Sequence, residues 1–73
     1  KEFNHLVGLK IVGVRYLTKE ETDASYWYSS PIAIELSDGS ALIPQQDDEG
    51  NDGGALWIAN SKGEGSLIPV IRG

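Results

Sequence analysis

Four carboxylates fall within six residues, Asp47, Asp48, Glu49 and Asp52, in the run QQDDEGNDGG. Hard cations such as calcium take clustered carboxylate oxygens, so this stretch is the candidate site for a divalent cation or a small ligand. Its spacing is not that of an EF-hand, which needs glycine at the sixth position and glutamate at the twelfth. Counting from Asp47, those positions hold Asp52 and Ile58; counting from Asp48, the third is Gly50 and the twelfth is Ala59. The simpler reading is an acidic loop whose Asp side chains brace its own backbone amides. A phosphate cradle is excluded, because no GxxxxGK[ST] motif follows and the local charge repels phosphate.

The second chemical feature is aromatic. The segment SYWYSS places Tyr26, Trp27 and Tyr28 side by side, three of the six aromatic residues. One reading makes Trp27 a plug at one end of the core, with the tyrosines at its rim and their hydroxyls in water. The other makes all three an interaction surface, since Trp and Tyr are enriched at binding hot spots. His5 is the single histidine, and there is no cysteine. A multi-histidine metal centre, a thiol nucleophile and a disulfide staple are therefore excluded. No catalytic residue and no cofactor site is expected, and the chain reads as a non-enzyme.

The elements that must position these residues centre on Pro31 to Pro44, PIAIELSDGSALIP. Ile32, Ile34 and Leu36 alternate with Ala33, Glu35 and Ser37, a period of two that predicts a half-buried strand. Asp38-Gly39 then predicts a hairpin with a two-residue type I′ turn. In that register Leu36 faces Ala41 and Ile34 faces Ile43, which collects Ile32, Ile34, Leu36, Ala41 and Ile43 on one face. Upstream, Leu9 to Leu17 reads as a strand with Gly13 marking a bulge that lets Ile11 and Val14 share a face. Thr18 with Glu21 makes a capping box for a short helix over 18–24. Downstream, 55–59 and 66–71 read as two further strands, the last demoted to an edge by Pro69.

The chain is 73 residues with net charge −5. Between Glu20 and Ser61 there are nine acids and no Lys or Arg, while the flanks hold all six basic residues. That distribution argues against nucleic acid as a partner, which needs clustered basic residues. No apolar run reaches membrane-spanning length, and no signal peptide is visible. With no Met present, Lys1 is not expected to be the translated start. The expected location is the cytoplasm.

These features predict one small domain over 1–73, with 1–8 as a loosely ordered arm or single turn. The fold expected is mostly β, a small antiparallel sheet or SH3-like half-barrel of about five strands with one short helix. An α+β sheet is the alternative. The expected core is Leu9, Ile11, Val14, Leu17, Trp27, Ile32, Ile34, Leu36, Ile43, Leu56, Ile58, Ile68 and Val70.

The run from Trp27 to Leu56 resembles small uncharacterised bacterial proteins that share an aromatic-Pro-strand-DG-strand-DDEGN arrangement. The resemblance implies a stand-alone bacterial protein and no particular substrate, cofactor or site. The function expected is a small binding module that self-associates or takes a protein partner, through the aromatic surface Tyr26, Trp27 and Tyr28 or through an edge strand. Size motivates it, because a domain this small buries little apolar surface by itself. The alternative is cation or small-ligand binding at Asp47, Asp48, Glu49 and Asp52.

Overall fold

The structure, a computed structural model, describes residues 3–72. Lys1 and Glu2 of the expected arm lie outside the described residues. The rest of that arm forms a single 3-10 turn, Asn4–Leu6, with Leu6 half-buried and Phe3 and Val7 exposed. The fold is mostly β with one short helix. Among the described residues seven short strands run in the order β1 (Ile11–Tyr16), β2 (Ser29–Ser30), β3 (Ile32–Leu36), β4 (Ala41–Leu42), β5 (Leu56–Ala59), β6 (Gly65–Ile68) and β7 (Ile71–Arg72). Helix α1 (Lys19–Ala24) lies between β1 and β2. The strands form three separate antiparallel sheets, β1-β3-β4, β2-β7 and β5-β6, in place of one curled sheet of about five strands.

Local chemistry explains most of these elements. Thr18 caps α1: its Oγ1 accepts from the Glu21 amide at 3.2 Å, and the Glu21 carboxylate accepts from the Thr18 amide at 2.8 Å. Glu21 also accepts from Arg15 at 2.8 Å, and Arg15 reaches across to Glu35 at 3.3 Å, which ties α1 to β1 and β3. The β1–β3 ladder slips between Ile11 and Gly13, the expected bulge. Ile11 pairs with Leu36 and Val14 with Ile34, so Ile11 and Val14 do share a face.

The central hairpin turns at Asp38-Gly39, but in a different register. Its loop has three residues, closed by the Leu36 amide on the Ser40 carbonyl at 2.8 Å. Only Gly39 takes positive φ, at 92°. Asp38 stays out of that region and instead accepts from the Ser40 amide at 3.0 Å and the Ser40 hydroxyl at 2.5 Å. This is a type I turn followed by a left-handed glycine, not the type I′ turn expected. The shift pairs Ile34 with Leu42 and Glu35 with Ala41. Ala41 therefore lies on the Glu35 face, and Leu42 joins Ile34 on the apolar one.

Pro69 ends β6, and the chain then crosses to pair Ile71 with Ser30 and Arg72 with Ser29. The Tyr16 hydroxyl donates to the Pro69 carbonyl at 2.8 Å and holds this crossover against β1. The buried centre is made of small side chains. Pro31, Ala33, Ser29, Thr22 and Gly53 are buried alongside Ile32 and Leu36. Of the expected core, Ile11, Val14 and Ile58 are exposed, and the others apart from Ile32 and Leu36 are half-buried. No helix among the described residues is long and apolar enough to cross a membrane.

Candidate functional site

The acidic loop and the aromatic segment, separate in sequence, are one structure. Asp52 turns inward beneath 28–29: its Oδ1 accepts from the amides of Tyr28 at 3.0 Å, Ser29 at 2.9 Å and Gly53 at 2.8 Å. Its Oδ2 accepts from the Ser29 hydroxyl at 3.3 Å. From the other side, the Trp27 indole Nε1 donates to the Gly50 carbonyl at 2.7 Å. The loop is thus a bracket that seats the aromatic corner. Its separation of 23 to 24 residues from its partners left no local pattern to read.

Asp47 braces the loop internally. Its carboxylate accepts from the Glu49 amide at 3.1 Å and from the Asn51 amide and side chain at 3.2 and 2.8 Å. The structure does not gather Asp47, Asp48, Glu49 and Asp52 around a common point. Among the described residues no three His, Cys, Asp or Glu side chains come together in a way that could hold a metal ion. The geometry gives the cation reading of this loop no support and favours the brace. His5 sits in the 3-10 turn Asn4–Leu6.

These hydrogen bonds set the charge state of the loop. The Ser29 amide, ahead of Gly53 and Tyr28, holds the Asp52 carboxyl below the usual range. The Asn51 side chain does the same for Asp47, followed by its backbone amide. On α1, the Arg15 guanidinium and then the Thr18 amide pull Glu21 down to about 2. A depressed carboxylate binds fewer protons folded than unfolded, so its stabilisation is present above the unfolded value and is lost as pH falls through the folded one. The melting temperature is expected to hold from neutral pH down to about 4.5, the ordinary Glu value, and to fall steadily from there toward about 2. A Glu21→Gln variant should start lower at neutral pH and lose less on acidification; parallel curves by circular dichroism would show that Glu21 carries no linkage.

Three residues at the end of α1 aim the aromatics. The Tyr26 amide donates to the Asp23 carbonyl and the Trp27 amide to the Thr22 carbonyl, both at 3.0 Å. This pair of bonds is a Schellman ending, with Tyr26 at the left-handed position after the C-cap, Ser25. Tyr26 has φ 60°, and among the described residues it is the only non-glycine with positive φ. Its ring is 89 % exposed, so burial does not offset the strain. A tyrosine there costs roughly 1–2 kcal/mol where glycine is unstrained. Allowing for the greater freedom of glycine in the unfolded chain, Tyr26→Gly is expected to raise stability by about 1 kcal/mol, or the melting temperature by about 4–8 °C. A lower melting temperature would mean that the ring contributes more than it strains.

Trp27 is half-buried, while Tyr28 projects with 85 % exposure. Asp23, Tyr26, Trp27 and Tyr28 line one concavity of about 340 Å³. Trp27, Tyr28 and Asp23 also border a neighbouring one of about 440 Å³, floored by Leu17, Thr22, Ser30 and Ile71. No family model, no curated protein and no solved structure matches the chain.

Proposed function

We infer that this protein is a non-enzymatic interaction module of the cytoplasm that works as a self-associated pair. The observation that carries the reading is surface. The accessible area is 5583 Å². A folded monomer of 7.9 kDa has about 4,400 Å². The radius of gyration is 13.2 Å, where a compact chain of this length has about 11 Å. The excess, about 1,200 Å² per chain, comes to about 2,400 Å² for two copies, within the range of obligate homodimers.

Two groups of exposed apolar side chains supply surface for such a contact. The apolar face of β1-β3-β4, which buries Ile32 and Leu36, leaves Ile11, Val14 and Leu42 uncovered, Val14 being 59 % exposed. The β5–β6 hairpin makes its extensive contacts only between its own two strands. An isolated two-stranded hairpin is marginal in water. Trp57 pairs with Leu67 on one side of it, its ring lying over Gly65, and Trp57 is 60 % exposed. In the pair, the hairpin of one copy lies on the open sheet face of the other, and the same contact repeats in reverse, as two-fold symmetry requires. Sedimentation equilibrium on the full chain tests this. A mass of twice 7.9 kDa is expected, reverting to one chain when Trp57→Lys and Val14→Lys are combined. A single-chain mass at the highest concentration reached removes the reading.

A further inference from the structure

We propose that the aromatic corner is a binding site for a quaternary ammonium group, such as a choline-type head group or a trimethylated lysine. It shares no residue with the surfaces assigned to self-association. Three aromatic residues and one acid border a single open concavity: Tyr26, Trp27, Tyr28 and Asp23. Aromatic faces attract cations through their quadrupole, and cages of rings are the form this recognition takes for alkylated ammonium groups. The electrostatic setting agrees. From Glu20 to Ser61 the chain carries nine acids and no Lys or Arg, and the corner lies within that stretch.

The backbone of the corner and the Trp27 indole are held in place without help from a ligand. Asp52 fixes the backbone of Tyr28 and Ser29, Gly50 anchors the Trp27 indole, and the Schellman bonds fix Tyr26 and Trp27. A fixed backbone and a fixed indole reduce the freedom lost on binding to that of the two tyrosine side chains. The strain at Tyr26 points the same way. Glycine would serve the backbone better, yet the position holds a ring turned out to solvent beside the concavity. Such outliers cluster where strain serves a site.

The protein supplies its own illustration of cation binding here. The Lys19 ammonium lies 2.9 Å from Asp23 Oδ2. Both residues are largely exposed, a geometry in which an i,i+4 pair contributes little. A primary ammonium also holds its own water shell through three N–H donors. A quaternary ammonium has no N–H to satisfy and a weak hydration shell. It therefore gains more from rings and a single nearby carboxylate than Lys19 does.

Titration of the full chain with choline chloride, followed through the indole Nε1–H resonance of Trp27, tests the proposal, with sodium chloride as the ionic control. Saturable shifts are expected. Affinity should fall about two- to five-fold in each of Tyr28→Ala and Asp23→Asn, and rise in Lys19→Met, which removes the competing cation. Tyr26→Gly is the decisive variant, because it is expected to be more stable than the wild type and still to bind more weakly. A trimethyllysine peptide and its unmodified counterpart separate the sources. Tighter binding of the methylated peptide than of choline points to a protein partner, and equal binding to a small head group. Shifts that match those with sodium chloride, or affinities unchanged in Tyr26→Gly, Tyr28→Ala and Asp23→Asn, overturn the proposal. Because sedimentation reads a different surface, either result leaves the self-association reading to its own test.

Discussion

Truncating Ile32 to alanine is expected to remove a large part of the protein's stability. Ile32 is 7 % exposed and sits in β3, the middle strand of the three-stranded sheet, paired with Tyr16. Large-to-small changes at such sites cost about 2–5 kcal/mol, since the removed atoms leave a cavity that the surroundings fill only in part. Collapse is restricted here. Pro31 and Ala33, its neighbours in the chain, are themselves buried, and Tyr16 is held in place by its hydroxyl on the Pro69 carbonyl. A domain of this size has a total stability of about 4–11 kcal/mol, so losing the methyl and ethyl groups of one isoleucine removes a large part of it. Val12→Ala provides the contrast. Val12 falls at the bulge of β1 and is exposed, and its truncation should stay within about 0.5 kcal/mol. Urea denaturation of both variants decides the matter. If the Ile32→Ala midpoint fell beside that of Val12→Ala, the buried centre around Ile32 would not be what holds the fold.

The contrast between these valines and isoleucines shows where the sequence was legible. Signals carried by neighbouring residues were reliable. Thr18 and Glu21 are three apart and form the capping box that their spacing predicts. Gly13 marks a bulge, and Ile11 and Val14 fall on one face because of it. The Asp38-Gly39 corner was legible as a corner, but its type was not. The Asp38 carboxylate has two nearby donors in Ser40, and bonding to them favours a right-handed Asp38 with only Gly39 left-handed. That local competition adds one residue to the loop and moves Ala41 to the other face.

The core was less legible for a different reason. Alternation of large apolar residues finds half-buried strands, and it located Ile32 and Leu36. It is blind to a centre built from small and polar side chains. Thr22 is buried because its hydroxyl donates to the Thr18 carbonyl at 2.9 Å and meets the Ser30 hydroxyl at 2.9 Å. Ser29 is buried because Asp52 satisfies it. Neither partnership has a sequence signature, and the second joins residues 23 apart. The same long reach hid the candidate site. The acidic loop read as a possible ligand cluster, and the aromatics as a separate surface. Asp52 and Gly50 make them one unit in which the loop supports and the rings face solvent.

Gly53→Ala tests that unit at its tightest point, and its effect should rival that of the core truncation. A methyl group on Gly53 would lie 2.5 Å from Pro31 Cδ, 2.7 Å from the Ser29 carbonyl oxygen and 2.8 Å from Pro31 Cγ. None of these atoms can swing aside. The proline ring is fully buried, and the Ser29 carbonyl belongs to the backbone of β2. Relief requires the loop to lift, which would break the Gly53 bridge to Gln45 and draw Asp52 away from the amides of Tyr28 and Ser29. Overpacking of this kind costs about 1–3 kcal/mol and more where backbone must move, so a loss of about 3 kcal/mol is expected. Gly63→Ala separates crowding from backbone strain. Gly63 has φ 84° with nothing within 4 Å of its added methyl, so its cost is that of the left-handed conformation alone, about 1 kcal/mol. In Gly53→Ala the Trp27 indole should also lose its bond to Gly50, visible as a shift of its Nε1–H resonance that Gly63→Ala does not produce. Equal losses in the two variants, or an unmoved Trp27 signal, would mean that the loop does not hold the aromatic corner in place.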